Sequence, residues 1–235
     1  MKAMILAAGR GTRLGDLGAG LPKPMLRLAG RPVLEWTLET LHAAGIVDVI
    51  INLHHAGDVI RTHFGDGSAL GMAIEYVFEP ELLGTAGAVR NARRLLEGGR
   101  FLVVYGDTVL DWDPRPMVAD HEAAGALASI AVSEVADPSN MGVVIFDERR
   151  RITTFVEKPG PRPELGRWVN AGLYVLEPAI FEHIPGSGFS DFGNSIFPAL
   201  LAQDRVLRAY LRPQPVTVLD TPEQFASAQR TWSKA

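Results

Sequence analysis

An apolar run near the amino terminus leads directly into a glycine-bearing turn. Residues 3–8 read Ala-Met-Ile-Leu-Ala-Ala, a composition typical of a fully buried strand. Residues 9–13 read Gly-Arg-Gly-Thr-Arg, and an isolated Pro-Lys-Pro follows at 22–24. Glycines let backbone N–H groups approach phosphate oxygens closely, and the two arginines and the lysine supply counter-charge. This arrangement predicts a nucleoside triphosphate site at the end of a first buried strand.

Two commoner phosphate-binding loops do not fit this segment. The P-loop requires Gly-Lys-Ser or Gly-Lys-Thr at the end of its glycine loop, and the segment has neither. The dinucleotide fingerprint requires a third glycine, where this chain has Leu14. The turn therefore favours another class of nucleotide site and argues against an oxidoreductase built on a dinucleotide-binding fold.

Positive charge is concentrated around this turn. The chain of 235 residues has a formal net charge of −4 and no basic block, which argues against a nucleic-acid-binding surface. Its first 31 residues nevertheless contain six basic residues and one acidic residue. That local excess suits a small polyanion better than a nucleic acid.

Cysteine content and hydropathy exclude further classes of protein and of site. The chain contains no cysteine, which excludes disulfides, thiolate metal sites and a cysteine nucleophile. It has no apolar stretch of the length needed to span a membrane, and the amino terminus lacks the pattern of a signal peptide. We therefore expect a cytoplasmic enzyme with no membrane partner.

Strand-like and helical patterns alternate over the first half of the chain. A helix is predicted from residue 34 to Gly45, because leucines recur at helical spacing and the segment ends in glycine. Further strands are predicted at 47–53, 72–78 and 101–105, and further helices at 56–64 and 85–96. This alternation predicts an α/β fold with three layers, in which a Rossmann-like, mainly parallel sheet has helices on both faces.

The second half has a different pattern, with several strand-like runs and few helices between them, so we expect the sheet to become mixed. The runs lie at 126–132, 141–146, 152–156 and 168–176. Helices are predicted at 178–184, 193–201 and 222–232, and a loop at 159–163. The sequence shows no repeat, low-complexity segment or linker, which predicts a single domain over residues 1–235.

Five further motifs follow the glycine turn in order. They are Asp66-Gly67-Ser68, Leu83-Gly84-Thr85-Ala86-Gly87-Ala88, Gly106-Asp107, Phe155-Val156-Glu157-Lys158-Pro159 and Asn170-Ala171-Gly172-Leu173-Tyr174. With these motifs the chain resembles the sugar-1-phosphate nucleotidyltransferases, in the short form of the mannose- and heptose-1-phosphate guanylyltransferases and the N-acetylmuramate-1-phosphate uridylyltransferases. The resemblance implies transfer of a nucleotidyl group from a nucleoside triphosphate to a sugar 1-phosphate. It also implies the nucleotide-diphospho-sugar transferase fold, with a nucleotide-binding half at 1–110 and a sugar-phosphate-binding half at 111–235.

The resemblance assigns most nucleotide contacts to the amino-terminal motifs. The implied nucleotide-binding residues are Leu6, Ala7, Ala8, Gly9, Arg10, Gly11, Thr12, Glu79, Gly84 and Thr85. Small residues in these segments let backbone groups come within hydrogen-bonding distance of the base. The implied catalytic residues are Arg13 for the departing pyrophosphate, Lys23 for the α-phosphate and Lys158 for the sugar phosphate. No general base is required, because a phosphate monoester is already anionic.

Two aspartates are the implied ligands of a Mg²⁺ cofactor. Asp107 follows a predicted strand, where the loops of an open parallel sheet converge on ligands, and it matches the metal-binding aspartate of the family. Asp220 is the best match for a second ligand in a Trp-x-Asp-Ile-Gly-Thr-Pro motif, although residues 216–223 lack the tryptophan and the Ile-Gly pair. The alternative role of Asp220 or Thr221 is an N-cap of the last predicted helix.

The later motifs are implied to bind the sugar phosphate. Glu157 corresponds to the family's contact with sugar hydroxyls, and Gly142 and Asn170 correspond to residues that line the sugar pocket. Asn140 and Asp191 are further candidates for this pocket, and the alternative is that they are ordinary loop residues.

The form of segment 83–88 favours GTP with a mannose- or heptose-type 1-phosphate. Two alternatives stay open, a UTP- or dTTP-dependent enzyme acting on a glucose- or N-acetylmuramate-type 1-phosphate, and a catalytically silent nucleotide-sugar sensor. Members of the family that assemble often carry carboxyl-terminal extensions, and this sequence stops soon after the helix predicted at 222–232. We therefore expect a monomer or homodimer whose partners are a nucleoside triphosphate and a sugar 1-phosphate.

Overall fold

The computed structural model describes residues 1–9, 21–54, 56–212, 214–217, 219 and 221–232. Contacts between residues divide the chain into two compact units. Unit one comprises Met1–Leu82, Val104–Asp113 and Val216–Ala235, and unit two comprises Leu83–Val103 and Pro114–Pro215. The single domain with halves at 1–110 and 111–235 stays a prediction.

Unit one contains parallel strands that alternate with helices. Its first elements are β1 (Lys2–Leu6), β2 (Arg27–Leu28), β3 (Arg31–Pro32), α1 (Val33–Ala43), β4 (Asp48–Leu53), α2 (Gly57–Phe64) and β5 (Ala73–Phe78). β4 pairs in parallel with β1 on one side and with β5 on the other, and the two registers end at Leu6–Asn52 and Leu53–Phe78. The carboxyl ends of these three strands therefore lie at one edge, as the alternating pattern predicts.

Unit two contains mainly antiparallel strand pairs. Its elements are α3 (Gly84–Asn91), α4 (Arg93–Leu96), the start of β6 (Phe101–Tyr105), α5 (Arg115–Ala124), β7 (Ala128–Glu134), β8 (Gly142–Phe146), β9 (Ile152–Glu157), β10 (Trp168–Leu176), α6 (Phe197–Ala202) and β11 (Leu207–Leu211). β10 pairs antiparallel with β7 and β8, and β8 pairs antiparallel with β9, whereas β11 is parallel to β7. The expected mixed α/β architecture is confirmed.

The structure corrects several predicted elements. The helix predicted at 85–96 is interrupted at Ala92, whose backbone (φ −90°, ψ 6°) leaves the helical region. The helix predicted at 178–184 is a short 3₁₀ helix, and the one predicted at 193–201 begins as a π-helix, Phe192–Ile196, before α6. α5 and β11 were not predicted; α5 buries only Met117 and His121, so it has no apolar stripe to recognise.

The last helix, α7 (Pro222–Trp232), returns to unit one and has the bounds that the sequence predicts. Its Gln229 accepts a hydrogen bond from the backbone N–H of Ala29 at 3.0 Å and donates to the carbonyl of Arg27 at 2.5 Å. The buried cluster beneath it contains Leu26, Leu28, Val33, Val109, Leu219, Phe225 and Ala228. Among the described residues, no helix is long and apolar enough to cross a membrane.

Candidate active site

The Pro-Lys-Pro segment holds Lys23 inside unit one. Lys23 begins a 3₁₀ turn, and the prolines on either side restrict its backbone. The Lys23 side chain is only 8% exposed, and its Nζ lies 3.4 Å from Oδ2 of Asp107. A buried ammonium requires an anionic neighbour of this kind. The segment therefore presents a fixed positive charge beside Asp107.

Asp107 lies in the turn that follows β6, where the sequence predicts it. The backbone N–H of Gly106 donates to the carbonyl of Leu6 at 3.0 Å, which joins this turn to the end of β1. A Cβ on Gly106 would lie 2.8 Å from that same oxygen, so only glycine allows the approach. The Asp107 side chain is 38% exposed. Unit one thus offers a partly exposed carboxylate next to a buried lysine.

A buried relay of hydrogen bonds lies at the carboxyl ends of β1, β4 and β5. Asn52 Oδ1 accepts a hydrogen bond from the backbone N–H of Ala7 at 2.7 Å, and Asn52 Nδ2 donates to Oε1 of Glu79 at 2.6 Å. The Nδ1 of His54 lies 2.8 Å from the carbonyl of Glu79, and it must carry a proton to donate there. Asn52 and Glu79 are 2% and 1% exposed. The relay therefore ties the end of β1 to the end of β5.

Gly84 and Thr85 lie in unit two, where they pack against the segment that precedes α6. The hydroxyl of Thr85 donates to Oδ2 of Asp191 at 3.0 Å and accepts the backbone N–H of Phe192 at 2.9 Å. The carbonyl of Ser190 accepts two N–H groups from the first turn of α3, both at 3.0 Å. Thr85 is thus engaged in the fold of unit two, and its contact with a base stays a prediction.

The carboxylate of Glu157 lies between two glycines in unit two. A Cβ on Gly142 would lie 2.7 Å from Oε2 of Glu157, and a Cβ on Gly193 would lie 2.5 Å from it. Close-packed side chains do not approach so closely, so a larger residue at either position would displace Glu157. Asp191 positions the second glycine, because its Oδ1 accepts the N–H of Gly193 at 3.0 Å. The two glycines therefore set the place of the Glu157 carboxylate.

Burial raises the pKa of Glu157 above its ordinary value of 4.5. The ammonium of Lys158 lowers that pKa again, and the negative charge of Asp191 raises it. Nζ of Lys158 lies 3.7 Å from Oε1 of Glu157, and the two side chains are 57% and 17% exposed. Unit two thus combines a largely buried carboxylate with an exposed ammonium.

The backbone of Lys158 adopts a left-handed conformation with φ of 46°. Residues with a Cβ rarely adopt it, and such residues concentrate at functional sites. The N–H of Lys158 donates to the carbonyl of Met141 at 3.1 Å, which fixes the turn from β9 into the predicted loop at 159–163. Lys158 is therefore held by its backbone while its side chain stays exposed.

Asn170 uses its side-chain amide to stabilise an irregularity in β10. Its Nδ2 donates to the hydroxyl of Tyr174 at 2.6 Å, and its Oδ1 accepts the N–H of Gly172 at 3.0 Å. The register between β10 and β7 shifts between Asn170 and Tyr174, as at a β-bulge. A contact between Asn170 and a sugar stays a prediction.

The structure places the predicted residues in two groups. Leu6, Ala7, Ala8, Gly9, Lys23, Glu79 and Asp107 lie in unit one, and Gly84, Thr85, Gly142, Glu157, Lys158 and Asn170 lie in unit two. Ala7 and Ala8 are buried, whereas Gly9 is exposed. Arg10, Gly11, Thr12, Arg13 and Asp220 lie outside the described residues, so their roles stay predictions.

The donor chemistry of Asp107 suits Mg²⁺. Mg²⁺ is a hard cation that is usually bound through one or two carboxylates together with substrate phosphates and waters. Within the described ranges, no three His, Cys, Asp or Glu side chains come together closely enough to hold a metal ion. The partly exposed carboxylate of Asp107 therefore fits the mode in which the substrate supplies further oxygen ligands.

Residues 2–226 match the family model described as Nucleotidyl transferase. The chain belongs to this family. A UTP–glucose-1-phosphate uridylyltransferase of Synechocystis sp. is 35% identical to this chain over 214 residues, which are 86% of the chain and 55% of the relative. A mannose-1-phosphate guanylyltransferase of Mycobacterium tuberculosis is 37% identical over 224 residues, which are 95% of the chain and 62% of the relative. The predicted resemblance to sugar-1-phosphate nucleotidyltransferases is confirmed.

A solved structure shares the fold over almost the whole chain. HddC from Yersinia pseudotuberculosis, complexed with GMP-PN, superposes with a TM-score of 0.83 and 27% sequence identity, covering 98% of this chain and 99% of the HddC chain. The expected nucleotide-diphospho-sugar transferase fold is thereby confirmed. The chain spans only 55% and 62% of the length of the Synechocystis and Mycobacterium relatives.

Two residues that contact predicted site residues were missed in the sequence. Asn52 stands near the carboxyl end of an otherwise apolar run, Val-Ile-Ile-Asn-Leu at 49–53, and a polar residue in a buried strand is a usable signal. Gly193 carries no such signal, because the side chain it faces, Glu157, is distant in the sequence.

Proposed function

We propose that this protein catalyses attack by a phosphate oxygen of a sugar 1-phosphate on the α-phosphorus of a nucleoside triphosphate. An oxygen–phosphorus bond forms, the bond from the α-phosphorus to the bridging oxygen breaks, and pyrophosphate leaves with the electron pair. The products are a nucleotide-diphospho-sugar and pyrophosphate. The observation that carries the proposal is the buried carboxylate of Glu157 beside the exposed ammonium of Lys158, which suits a ligand with hydroxyls and an anionic phosphate.

Neutralising charge is the main task in this reaction, because both substrates are anions that repel each other. The sugar phosphate is already an anionic nucleophile, so no side chain needs to remove a proton. Lys158 is assigned to the sugar phosphate, Lys23 to the α-phosphate, and Arg13 with the amides of 9–12 to the departing pyrophosphate. Holding the reacting groups in line lowers the entropic part of the barrier.

Asp107 and Asp220 are the residues assigned to Mg²⁺, which when bound supplies positive charge to phosphate oxygens. Support for Asp107 comes from its partly exposed carboxylate. Support for Asp220 comes from its neighbour Leu219, which packs in one buried cluster with Val109, two residues beyond Asp107.

The carboxylate of Glu157 is assigned to sugar hydroxyls, from which an ionised carboxylate can only accept hydrogen bonds. Gly142 is assigned to the same pocket, where its lack of a side chain leaves room for that carboxylate. Asn170 is assigned to the pocket wall. The backbone of 6–9, with Gly84 and Thr85, is assigned to the nucleotide.

GTP with a mannose- or heptose-type 1-phosphate is the preferred substrate pair in this proposal. The Mycobacterium tuberculosis guanylyltransferase and the HddC complex with GMP-PN support a guanine nucleotide. The Synechocystis uridylyltransferase supports the second candidate, UTP with a glucose-type 1-phosphate. The proposal also includes that the protein is a monomer or homodimer and acts in the cytoplasm.

Release of pyrophosphate in the presence of Mg²⁺ tests this proposal. GTP, UTP, dTTP, CTP and ATP are each combined with the 1-phosphates of mannose, glucose, manno-heptose, N-acetylglucosamine and N-acetylmuramate. We expect release only when both substrates are present, with the fastest rate for GTP and mannose or manno-heptose 1-phosphate. If no combination releases pyrophosphate while nucleotide-sugars still bind, the result would contradict catalysis. It would favour the alternative that the protein is a catalytically silent nucleotide-sugar sensor.

A further inference from the structure

Residues 190–192 pack against the first turn of α3 and lead into the π-helix of unit two. A Cβ on Gly84 would lie 2.4 Å from the carbonyl oxygen of Ser190, and the φ of Gly84 is 76°, so only glycine allows this approach. The N–H of Phe192 donates to the hydroxyl of Thr85 at 2.9 Å. The segment therefore holds the turn that contains Gly84 and Thr85.

The carboxylate of Asp191, in the middle of this segment, uses its two oxygens in different directions. Its Oδ2 accepts a hydrogen bond from the hydroxyl of Thr85 at 3.0 Å. Its Oδ1 accepts the backbone N–H groups of Gly193 and Asn194 at 3.0 Å and 3.1 Å. Because both oxygens are bonded to one carbon, a displacement of one oxygen moves the other. Asp191 therefore links the first turn of α3 to the turn at Gly193.

The turn at Gly193 borders the buried carboxylate of unit two. A Cβ on Gly193 would lie 2.5 Å from Oε2 of Glu157. The negative charge of Asp191 also raises the pKa of Glu157, so the two carboxylates are within electrostatic reach of each other. Thr85 is assigned to the nucleotide, and Glu157 is assigned to the sugar. One carboxylate thus connects a residue of each substrate site.

We propose that Asp191 is a positioning residue for both substrates, with Oδ2 holding the nucleotide segment at Thr85 and Oδ1 holding Gly193 against Glu157. The inference rests on the proposed function, since it concerns the two substrate sites of that reaction. Holding both segments through one side chain pre-organises them before the substrates bind. Loss of the whole carboxylate therefore weakens the binding of both substrates, and loss of Oδ2 alone weakens only the binding of the nucleotide.

Substitutions at Asp191 and Thr85 separate the two contacts. Asp191→Ser removes the oxygen that reaches Thr85 and keeps a hydroxyl for the N–H of Gly193, since serine is a good N-cap. Asp191→Ala removes both contacts. Asp191→Asn keeps both, because the amide oxygen still accepts from Gly193 and the amide nitrogen donates to the hydroxyl of Thr85. Thr85→Val removes the partner of Oδ2 and leaves Asp191 in place.

The readouts are the Kd of GTP and of UTP, each with Mg²⁺ and without a sugar phosphate, and the KM of mannose 1-phosphate and of glucose 1-phosphate. For Asp191→Ser and Thr85→Val we expect the Kd of the preferred nucleotide to rise about fivefold, with the KM of the preferred sugar 1-phosphate within about twofold of wild type. For Asp191→Ala we expect the same rise in Kd and a rise in KM of about tenfold. For Asp191→Asn we expect both values within about threefold of wild type.

Asp147→Ala is the matched control in unit two. Oδ1 of Asp147 accepts the backbone N–H groups of Arg149 and Arg151 at 2.9 Å and 2.8 Å, so the substitution removes the same kind of contact from another turn. We expect it to lower thermal stability and to leave the Kd and the KM unchanged. Adding Thr85→Val to Asp191→Ala is expected to raise the nucleotide Kd no further, because the two substitutions remove one shared contact.

A role of Asp191 in contacting the sugar alone predicts a different pattern. Asp191→Ser and Asp191→Ala would then both raise the KM of the sugar 1-phosphate, and neither would change the nucleotide Kd. That result would overturn the inference, and so would a loss of thermal stability with unchanged Kd and KM. If Asp191→Ala does not fold, Asp191→Ser decides, since the inference requires it to raise the nucleotide Kd and to spare the KM.

The wild-type protein distinguishes failure of the inference from failure of the proposed function. Nucleotide binding without turnover would refute the proposed reaction, and the nucleotide Kd values of the variants would still decide the contact between Asp191 and Thr85. Normal turnover in the wild type with an unchanged nucleotide Kd in Asp191→Ser would refute the inference alone. A wild-type protein that binds no nucleotide would refute both.

Discussion

Two lysine–carboxylate pairs, one in each unit, have opposite exposures. In unit one the lysine is the buried member, with 8% exposure for Lys23 against 38% for Asp107. In unit two the carboxylate is the buried member, with 17% exposure for Glu157 against 57% for Lys158. The separations between the charged atoms, 3.4 Å and 3.7 Å, are similar. The pairs therefore differ mainly in which charge faces solvent.

This difference indicates what each pair can bind. An exposed carboxylate backed by a fixed ammonium can accept a cation without leaving a buried positive charge unpaired. An exposed ammonium backed by a carboxylate can accept an anion in the same way. Asp107 is therefore suited to Mg²⁺ and Lys158 to a phosphate, and the predictions below test that division of roles.

The largest effect is expected from Asp107→Ala, which removes the exposed carboxylate of unit one. We expect a loss of turnover of about a thousandfold, because a single charge at a transition state of this kind is typically worth two to three orders of magnitude. Steady-state pyrophosphate release at saturating substrates measures it. Asp58→Ala, which removes an exposed carboxylate that pairs with Arg61 at 3.5 Å, is the control. Equal rates in the two variants would contradict the assignment of Asp107 to the active site.

Lys158→Ala is expected to lower kcat/KM for the sugar 1-phosphate by about a hundredfold, because it removes the charge that faces the anion. Initial rates over a range of sugar 1-phosphate concentrations give this value. Arg162→Ala removes another exposed cation, paired with Glu164 at 3.4 Å, and should remain close to wild type. A loss in Arg162→Ala as large as in Lys158→Ala would show that unit two attracts the anion through its general charge.

Gly193→Ala tests whether the place of the buried carboxylate matters. The new Cβ would lie 2.5 Å from Oε2 of Glu157 and must displace it. We expect the KM of the sugar 1-phosphate to rise about tenfold with a smaller change in kcat, as for loss of binding without loss of chemistry. Gly186→Ala is the matched control, because a Cβ there meets nothing within 4 Å. An unchanged KM in Gly193→Ala would contradict the assignment of Glu157 to the sugar hydroxyls.

The smallest expected effect is a dependence of the KM of the sugar 1-phosphate on pH. Burial raises the pKa of Glu157 above 4.5, so this carboxylate gains its proton at a higher pH than an ordinary glutamate as the solution is acidified. The protonated form loses acceptor capacity for sugar hydroxyls, and we expect the KM of the sugar 1-phosphate to rise by a few fold towards acid pH. The comparison is with Glu157→Gln, which keeps the titration of the substrate phosphate and should show a flatter profile. Identical profiles would mean that Glu157 does not titrate in this range.

The amino-terminal strand and the position of Asp107 could be predicted because each is encoded locally. An apolar run and a Gly-Asp pair after a strand can be interpreted without knowledge of their neighbours in the fold. The last helix was likewise predicted with the bounds that α7 has.

Contacts between distant residues could not be predicted in this way. The hydrogen bond between Asn52 and Glu79 depends on the parallel pairing of β4 and β5, which brings two side chains that are distant in sequence to within 2.6 Å of each other. The helix predicted at 193–201 begins earlier and as a π-helix, because Asp191 accepts the N–H groups of Gly193 and Asn194. That turn also brings Gly193 against Glu157. The candidate site residues could thus be recognised from sequence motifs. The contacts that hold their side chains in place could be seen only in the folded structure.

The most direct test of the division between the two pairs is a crossed measurement on Asp107→Ala and Lys158→Ala. In each variant, the Mg²⁺ concentration for half-maximal rate and the KM of the sugar 1-phosphate are measured under the same conditions. We predict that Asp107→Ala raises the Mg²⁺ requirement and leaves the KM nearly unchanged, and that Lys158→Ala does the reverse. Equal changes of both quantities in both variants would contradict the assignment of a cation to one pair and an anion to the other.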